Sequence, residues 1–212
     1  MDFKEEIRHH STKPLTYHFV KSLLKDYKRP NDKINELVNQ GILTSLKKGF
    51  YIAGPELKIV KPEPFLIANH LWGPSYVSID SALSFYGFIP ERVFEISSVT
   101  VKSSRKYSTP AGLFSYTHLP LPYYSYGIRQ ANLGTEEFAL VASKEKALCD
   151  KIITTSGLKL RSEKNVLNYL IEDLRVNEDL LATLNTDIIE EWIHEAPKKS
   201  SLKMMIKTLR KL

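Results

Sequence analysis

Arg29–Gly54 reads RPNDKINELVNQGILTSLKKGFYIAG, and the order of its parts decides the N-terminal fold. Ile34, Leu37 and Val38 fall on one helical face, with Asp32, Lys33, Asn35, Glu36 and Asn39 on the other. Gly41 supplies the left-handed residue that ends such a helix. Ile42 to Leu46 and Phe50 to Ala53 are short β-favourable runs, and Lys47-Lys48-Gly49 between them suits a hairpin turn, where glycine accepts a positive φ. Polar-faced helix, glycine, strand, basic turn, strand is the order that a winged helix-turn-helix uses to hold DNA.

Upstream, Asp2 to His10 predicts a short helix with Phe3 and Ile7 four apart, closed by Ser11-Thr12-Lys13-Pro14. Thr16 is placed to cap a second helix whose apolar stripe is Phe19, Val20, Leu23 and Leu24. Pro30 interrupts that helix, because a proline disfavours a helical residue before it. Asn31 or Asp32 then caps the third. Residues 1–54 are therefore expected to form a winged helix-turn-helix, and 55–64, with Pro55, Pro62 and Pro64, a stiff connector.

Residues 65–212 predict a mixed α+β domain with a helical C-terminus, so the fold class is α+β. Helical patterns cover Pro64 to Leu71 and Ile79 to Phe85, and strands are expected over Phe94 to Val101, Leu113 to Leu119, from Gly127, and over Phe138 to Ala142. Lys102 to Gly112 reads as a basic, polar loop. Ser143 can cap a helix through Ile153, and four further helical patterns follow between Lys164 and Leu209. In the tail, Leu202, Met205, Ile206 and Leu209 share one face amid lysines, for which packing on its own domain is the default.

The 212-residue chain is 42% apolar and 25% charged, a globular composition that argues against disorder. No run approaches the roughly 20 apolar residues of a membrane span, and the N-terminus lacks a secretory h-region, so a cytoplasmic protein with no membrane partner is expected. One cysteine, Cys149, excludes an internal disulfide and a cysteine-cluster zinc site. The net charge is +6. Between Lys13 and Gly49 eight basic residues face three acidic ones, and a second excess follows Glu195; the middle is close to balanced.

That placement points to double-stranded DNA. Asn35 and Asn39, one turn apart, suit adenine edges in a major groove, while Lys33 suits guanine or a phosphate. Lys28, Arg29 and Asn31 flank the helix start, and Lys47 and Lys48 at the hairpin tip can reach phosphates, fixing register rather than reading sequence. Lys102, Arg105 and Lys106 offer a second basic surface, weighed evenly against a solvated hairpin tip. The scattered histidines make no HxxxH or HExxH pair, and no phosphate loop, GxGxxG turn or GxSxG elbow occurs. No catalytic residue, metal ligand or cofactor is assigned, and the chain is not expected to be an enzyme. Two rivals stay open. Asp80, Asp150 and Glu145-Lys146 can be assembled into a metal-nuclease site, and Tyr116, Tyr123, Tyr124 and Tyr126 can line a ligand pocket of a ligand-responsive regulator.

Three segments resemble the AbiEi family of bacterial type IV antitoxins, which are also transcriptional regulators. They are QGILTSLKKGFYIAG, like the family's wing; YVSIDSALSFYGF from Tyr76 to Phe88, like its Ser-Ala-Leu helix; and FALVASKEKALCD from Phe138 to Asp150, like its strand and Ala-Leu-x-Asp helix start. The resemblance implies an N-terminal domain that represses its own operon and a C-terminal antitoxin domain. It implies functional opposition to a nucleotidyltransferase-like toxin encoded alongside, typically without a stable complex. Physically, the Ser-Ala-Leu and Ala-Leu-x-Asp pieces read as packing devices, with Ser78 or Ser143 as helix caps.

Overall fold

The computed structural model describes residues 3–91, 93–134 and 137–212, a mixed α+β chain; Asp2, at the edge of the first expected helix, lies outside them. The N-terminal part runs α1 (Phe3–His9), β1 (Leu15–Thr16), α2 (Tyr17–Leu23), α3 (Pro30–Asn39), β2 (Leu43–Lys47) and β3 (Phe50–Ala53). The Thr16 hydroxyl accepts from the Phe19 amide at 3.3 Å, capping α2 as expected. The start of α3 differs. Neither Asn31 nor Asp32 caps it: the helix begins at Pro30, with Arg29 in the capping position. A proline in the first turn has no N–H to leave unpaired, so it opens this helix; α2 has already ended at Leu23, so Pro30 is not what interrupts it.

The end of α3 follows its glycine. Gly41 has φ +69°, its amide donates to the Val38 carbonyl, and the Ile42 amide donates to the Leu37 carbonyl, each at 3.0 Å. This paired arrangement satisfies carbonyls that a helix end otherwise leaves open. β2 and β3 are antiparallel, with a bulge between Ser45 and Lys47. β1 adds a third strand against β3, pairing Leu15 with Tyr51 and Thr16 with Phe50. Two residues are too few to show an alternating pattern, so β1 is invisible until its partner is in place.

The hairpin serves two cores. Leu43 and Ala53 join Ile7, Val20, Ile34 and Leu37 in an N-terminal cluster, whereas Leu46, Phe50 and Ile52 belong to the larger core of the remaining chain. The stretch expected as a connector begins tightly. The Gly54 amide donates to Ile42 and the Glu56 amide to Gly41, and the following 3-10 turn, Pro55–Leu57, buries Leu57 in the N-terminal cluster.

The second part comprises α4 (Pro64–Leu71), β4 (Ser75–Val77), α5 (Ile79–Phe85), β5 (Glu95–Thr100), β6 (Arg105–Thr109), β7 (Gly112–His118), β8 (Ile128–Asn132), β9 (Phe138–Ala142) and α6 (Lys144–Thr154). Its sheet has the order β6-β7-β5-β4-β9-β8; β5–β7 and β4–β9 are parallel and the other pairs antiparallel. Then come α7 (Glu163–Leu167), a π-helical turn over Asn168–Asp173, α8 (Glu178–Leu181), α9 (Thr186–Trp192) and α10 (Lys199–Leu209). β6 corrects the expected loop at 102–112. Its charged residues suit an edge strand, which unpaired charge protects from further pairing, and Tyr107 is the residue it turns inward. Among the described residues no helix is long and apolar enough to cross a membrane.

One buried ion pair ties these layers together. Lys146 and Asp150, one turn apart on α6, have no exposed surface and meet at 2.9 Å. Asp150 also accepts from the Tyr123 hydroxyl at 2.9 Å, the Tyr76 hydroxyl at 3.0 Å and the Ser78 hydroxyl at 2.7 Å. Lys146 donates to the Tyr123 carbonyl at 3.1 Å and lies over the Tyr123 ring. Burial pushes the Lys146 ammonium below the usual lysine range while Asp150 pulls it back, and burial with the Asp150 charge holds both tyrosines protonated as donors. Ser143 caps α6 through the Lys146 amide, but Ser78 donates to Asp150 and makes no side-chain cap on α5. Ile79 holds φ +54° just after it, an unfavourable conformation for a β-branched residue that turns the chain from β4 into α5.

Asp150→Asn leaves Lys146 buried without its counter-charge and is expected to cost about 3–5 kcal/mol in urea unfolding, with part recovered when Lys146→Met is added. At Gly54 the φ is ordinary, but an added Cβ would lie 2.0 Å from the Gly41 carbonyl oxygen. Gly54→Ala is therefore expected to lower stability by about 1–3 kcal/mol in the same assay.

Candidate nucleic-acid interface

The expected DNA-contacting residues divide by what they already touch. On α3, Asn35 and Asn39 are exposed, and neither side chain has a hydrogen-bond partner among the described residues. Lys33 is engaged by Glu36 at 2.7 Å, which also accepts from Gln40 at 3.0 Å, and lies 5.6 Å from the Tyr27 ring centre. The Asn31 side-chain oxygen, Oδ1, accepts from the Tyr17 hydroxyl at 2.8 Å. Arg29 faces Asp32 at 3.9 Å with both side chains largely exposed, a pairing too weak to hold it back from a stronger anion. Lys28 is exposed and carries no ion pair among the described residues.

The hairpin tip splits its two lysines. Lys48 is exposed. Lys47, expected to reach outward beside it, is turned the other way: its ammonium donates to the carbonyl of Leu71, the last residue of α4. Lys47 lies 5.7 Å from the ring centre of Phe50, 5.8 Å from that of Trp72 and 5.9 Å from that of Tyr107. Lys47 ends β2 beside the bulge between Ser45 and Lys47, while Lys48 already lies in the turn. A cation at a helix C-terminus also meets the negative end of the helix dipole. Lys47 thus fastens the hairpin to the second part of the chain.

The second basic surface is also resolved residue by residue. Lys102 and Arg105 cover the Trp72 ring, at 5.1 and 4.9 Å from its centre. Lys106, one position on along β6, points away from them and pairs with Glu95 at 3.3 Å. Trp72 and Tyr107, which carry this arrangement, were not among the expected site residues. Their signal in the sequence is weak, since a tryptophan before Gly-Pro reads as a helix end.

In the tail, the apolar stripe and the last cations all have partners, while Lys203 is exposed. Its apolar stripe, Leu202, Met205, Ile206 and Leu209, is buried. Arg210 pairs with Asp187 and Glu190, at 2.8 and 2.6 Å, and Lys207 and Lys211 pair with Glu163.

The carboxylates of the nuclease reading are not brought together. Asp80 pairs with Lys151 at 2.7 Å, while Asp150 is sealed in the core on Lys146 and three hydroxyls. Among the described residues no group of three or more His, Cys, Asp or Glu side chains is placed to hold a metal ion. Cys149 is fully buried, and burial raises its thiol well above the usual range. Nor do the four tyrosines share a pocket. Tyr123 is sealed in the core, Tyr116 donates to the Ala68 carbonyl at 2.7 Å, and Tyr126 packs against Trp192. Tyr124 lines a cavity of 250 Å³ with Asn69 and His70, whereas Tyr116 borders a separate cleft of 1070 Å³.

Comparison with known proteins adds no relative: no family model matches this chain, and no curated protein does.

The different tasks of the two hairpin lysines are separable by stability. Lys47→Ala is expected to lower unfolding free energy by about 1–2 kcal/mol, since a charge-assisted bond to a helix end is lost. Lys48→Ala is expected to stay within about 0.5 kcal/mol of the parent, as surface changes usually do.

Proposed function

We propose that the protein is a sequence-specific DNA-binding regulator whose first 54 residues act as a winged helix. The observation that carries this reading is the exposed face of α3, where Asn35 and Asn39 have no partner, beside a hairpin whose turn leaves Lys48 exposed. Asparagine carries a donor and an acceptor side by side, the pattern that matches an adenine edge in the major groove. Lys28, Arg29 and Lys48 then supply phosphate contacts that set register. Helix α1, the β1 strand, helices α2 and α3 and the β2–β3 hairpin follow in the order that a winged helix requires.

On the three motif resemblances, the regulator is an AbiEi-type antitoxin that represses its own operon and opposes a nucleotidyltransferase-like toxin encoded beside it. The Ser-Ala-Leu and Ala-Leu-x-Asp motifs serve packing here: Ser81 and Ser97 exchange amide-to-hydroxyl bonds at 2.8 and 3.1 Å, and Asp150 anchors the buried pair. Antitoxin activity is therefore supported by kinship of motifs and not by a reacting group. Its test is co-expression with the neighbouring toxin gene: restored growth supports it, and unrelieved toxicity overturns it. A second reading, a ligand-responsive regulator, is favoured by the 1070 Å³ cleft over β5 and β7, a size that suits a small ligand. Ligand-dependent release from DNA distinguishes it.

The DNA reading is checked by titrating the protein's own upstream duplex and a scrambled duplex across a salt series. Asn35→Ala with Asn39→Ala is expected to reduce preference for the upstream duplex by about 1–3 kcal/mol per lost base contact, leaving scrambled binding unchanged. Lys48→Ala is expected to weaken both equally and to lower the salt slope by about 0.9. Equal loss on both duplexes from the asparagine changes would contradict base reading by α3.

A further inference from the structure

The cleft of 1070 Å³ opens on one face of the second sheet, over β5, β7 and β6. Strand register lines its floor. Ser97 of β5 stands opposite Ser115 of β7, and Ser115 stands opposite Lys106 of β6, so the three share one row. Thr117 follows two positions along β7, on the same face. Ser97 is committed: its hydroxyl donates to the Ser78 carbonyl at 2.8 Å and accepts from the Ser81 amide at 3.1 Å. Ser115 and Thr117 are half-buried, and neither hydroxyl has a hydrogen-bond partner among the described residues. Phe94 and Leu113, both exposed, add an apolar edge to the same cleft.

The charges around the cleft come mostly as pairs. Asp80 meets Lys151 at 2.7 Å, Glu95 meets Lys106 at 3.3 Å, and Glu91 meets Arg175. A carboxylate has more lone pairs, and an ammonium more N–H groups, than one ion pair uses. Each pair therefore presents a donor beside an acceptor with no net charge. A hydroxyl group is likewise donor and acceptor at one atom, so such pairs match a ligand rich in hydroxyls. Arg105 also borders the cleft but holds its guanidinium over the Trp72 and Tyr107 rings, at 4.9 and 5.2 Å. Asp173 has no ion pair among the described residues, but it is exposed, where water and salt screen it. The walls carry unusual backbone. Ile79, at φ +54°, lies in the lining, and the π-helical turn ends at Asp173, two residues before Arg175 at φ +53°. Such conformations cost free energy and gather at functional sites.

We infer that this cleft binds an uncharged sugar, whose hydroxyls bond to Ser115, Thr117 and the flanking ion pairs and whose C–H face lies against Phe94. A sugar ring offers both features at once, a ring of hydroxyls and a flat apolar face. Pockets for small ligands run to about 1,000 Å³, so a mono- or disaccharide has room. An anion finds cations already held by carboxylates. A purely apolar ligand would strip water from the floor hydroxyls and ion pairs without replacing its bonds. The inference deepens the ligand-responsive reading given above by naming the ligand's class, and it does not depend on the reading of α3.

The test is titration calorimetry of the full chain with glucose, galactose, mannose, ribose and maltose, each up to about 10 mM. The phosphorylated and amino derivatives of whichever sugar binds are titrated next. Saturable binding of an uncharged sugar is expected, with its charged derivatives weaker by about tenfold, since neither finds an unpaired counter-charge within the cleft. Ser115→Phe fills the floor and is expected to abolish binding. Ser115→Ala with Thr117→Val keeps the space and removes both hydroxyls, and is expected to weaken binding about tenfold at a parental melting temperature. This second variant decides the matter if the phenylalanine lowers the melting temperature. No binding by any uncharged sugar overturns the site, as does parental affinity in the double variant. A charged derivative that binds as tightly as its parent sugar overturns the class of ligand. DNA affinity unchanged by a sugar that does bind overturns the ligand-responsive reading alone and leaves the site standing.

Discussion

Asp150 is fully buried and accepts from a lysine, two tyrosines and a serine that come from three segments of the second domain. The pair with Lys146 would be unfavourable if it were simply two charges removed from solvent, since desolvation of each ion costs several kcal/mol. It is tolerable because the lone pairs of the carboxylate are used up and the ammonium has a carbonyl and a ring face as well. The same bonds set geometry. Tyr76 and Ser78 hold β4 and the turn into α5, Tyr123 holds the segment before β8, and α6 carries the charges. An arrangement with so many simultaneous partners fits one packing of these elements and few others, which is how a buried polar cluster specifies a core.

From that centre the architecture reaches the surface through the hairpin. Leu46, Phe50 and Ile52 pack with the second core while Leu43 and Ala53 pack with the helices in front. Lys47 adds a polar bolt at the end of α4. An N-terminal unit on a loose tether would move independently of the domain behind it. Here the shared hairpin places α3 and the Trp72 cluster in a defined relation, so an event in the second domain has a physical path to the presented face.

Much of the element order was legible because it depends on local rules. Thr16 and Ser143 cap helices where a hydroxyl precedes an apolar stripe, and Gly41 stops α3 because only a left-handed residue closes that turn without strain. The failures are instructive. β1 is two residues long and exists because β3 offers it a partner. β6 hid behind Lys102-Ser103-Ser104-Arg105-Lys106, whose polarity suits an edge strand as well as a loop. Asp150 read only as a possible metal-nuclease carboxylate because its hydroxyl partners are 27 to 74 residues away in the chain.

The candidate site shows the same division. By itself the sequence determined the polar face of α3, the basic hairpin turn, the charge excess around them and the α+β character of the remainder. These follow from helical period, strand preference and glycine conformation, all of which act over a few residues. Only the tertiary structure decided that Lys47 faces inward while Lys48 faces out, that Lys106 is neutralised by Glu95, and that Lys102 and Arg105 converge on Trp72. It also decided that Lys207, Arg210 and Lys211 of the tail are paired with Glu163, Asp187 and Glu190. Whether a charge is free depends on the nearest opposite charge in space, and sequence distance carries almost no information about that.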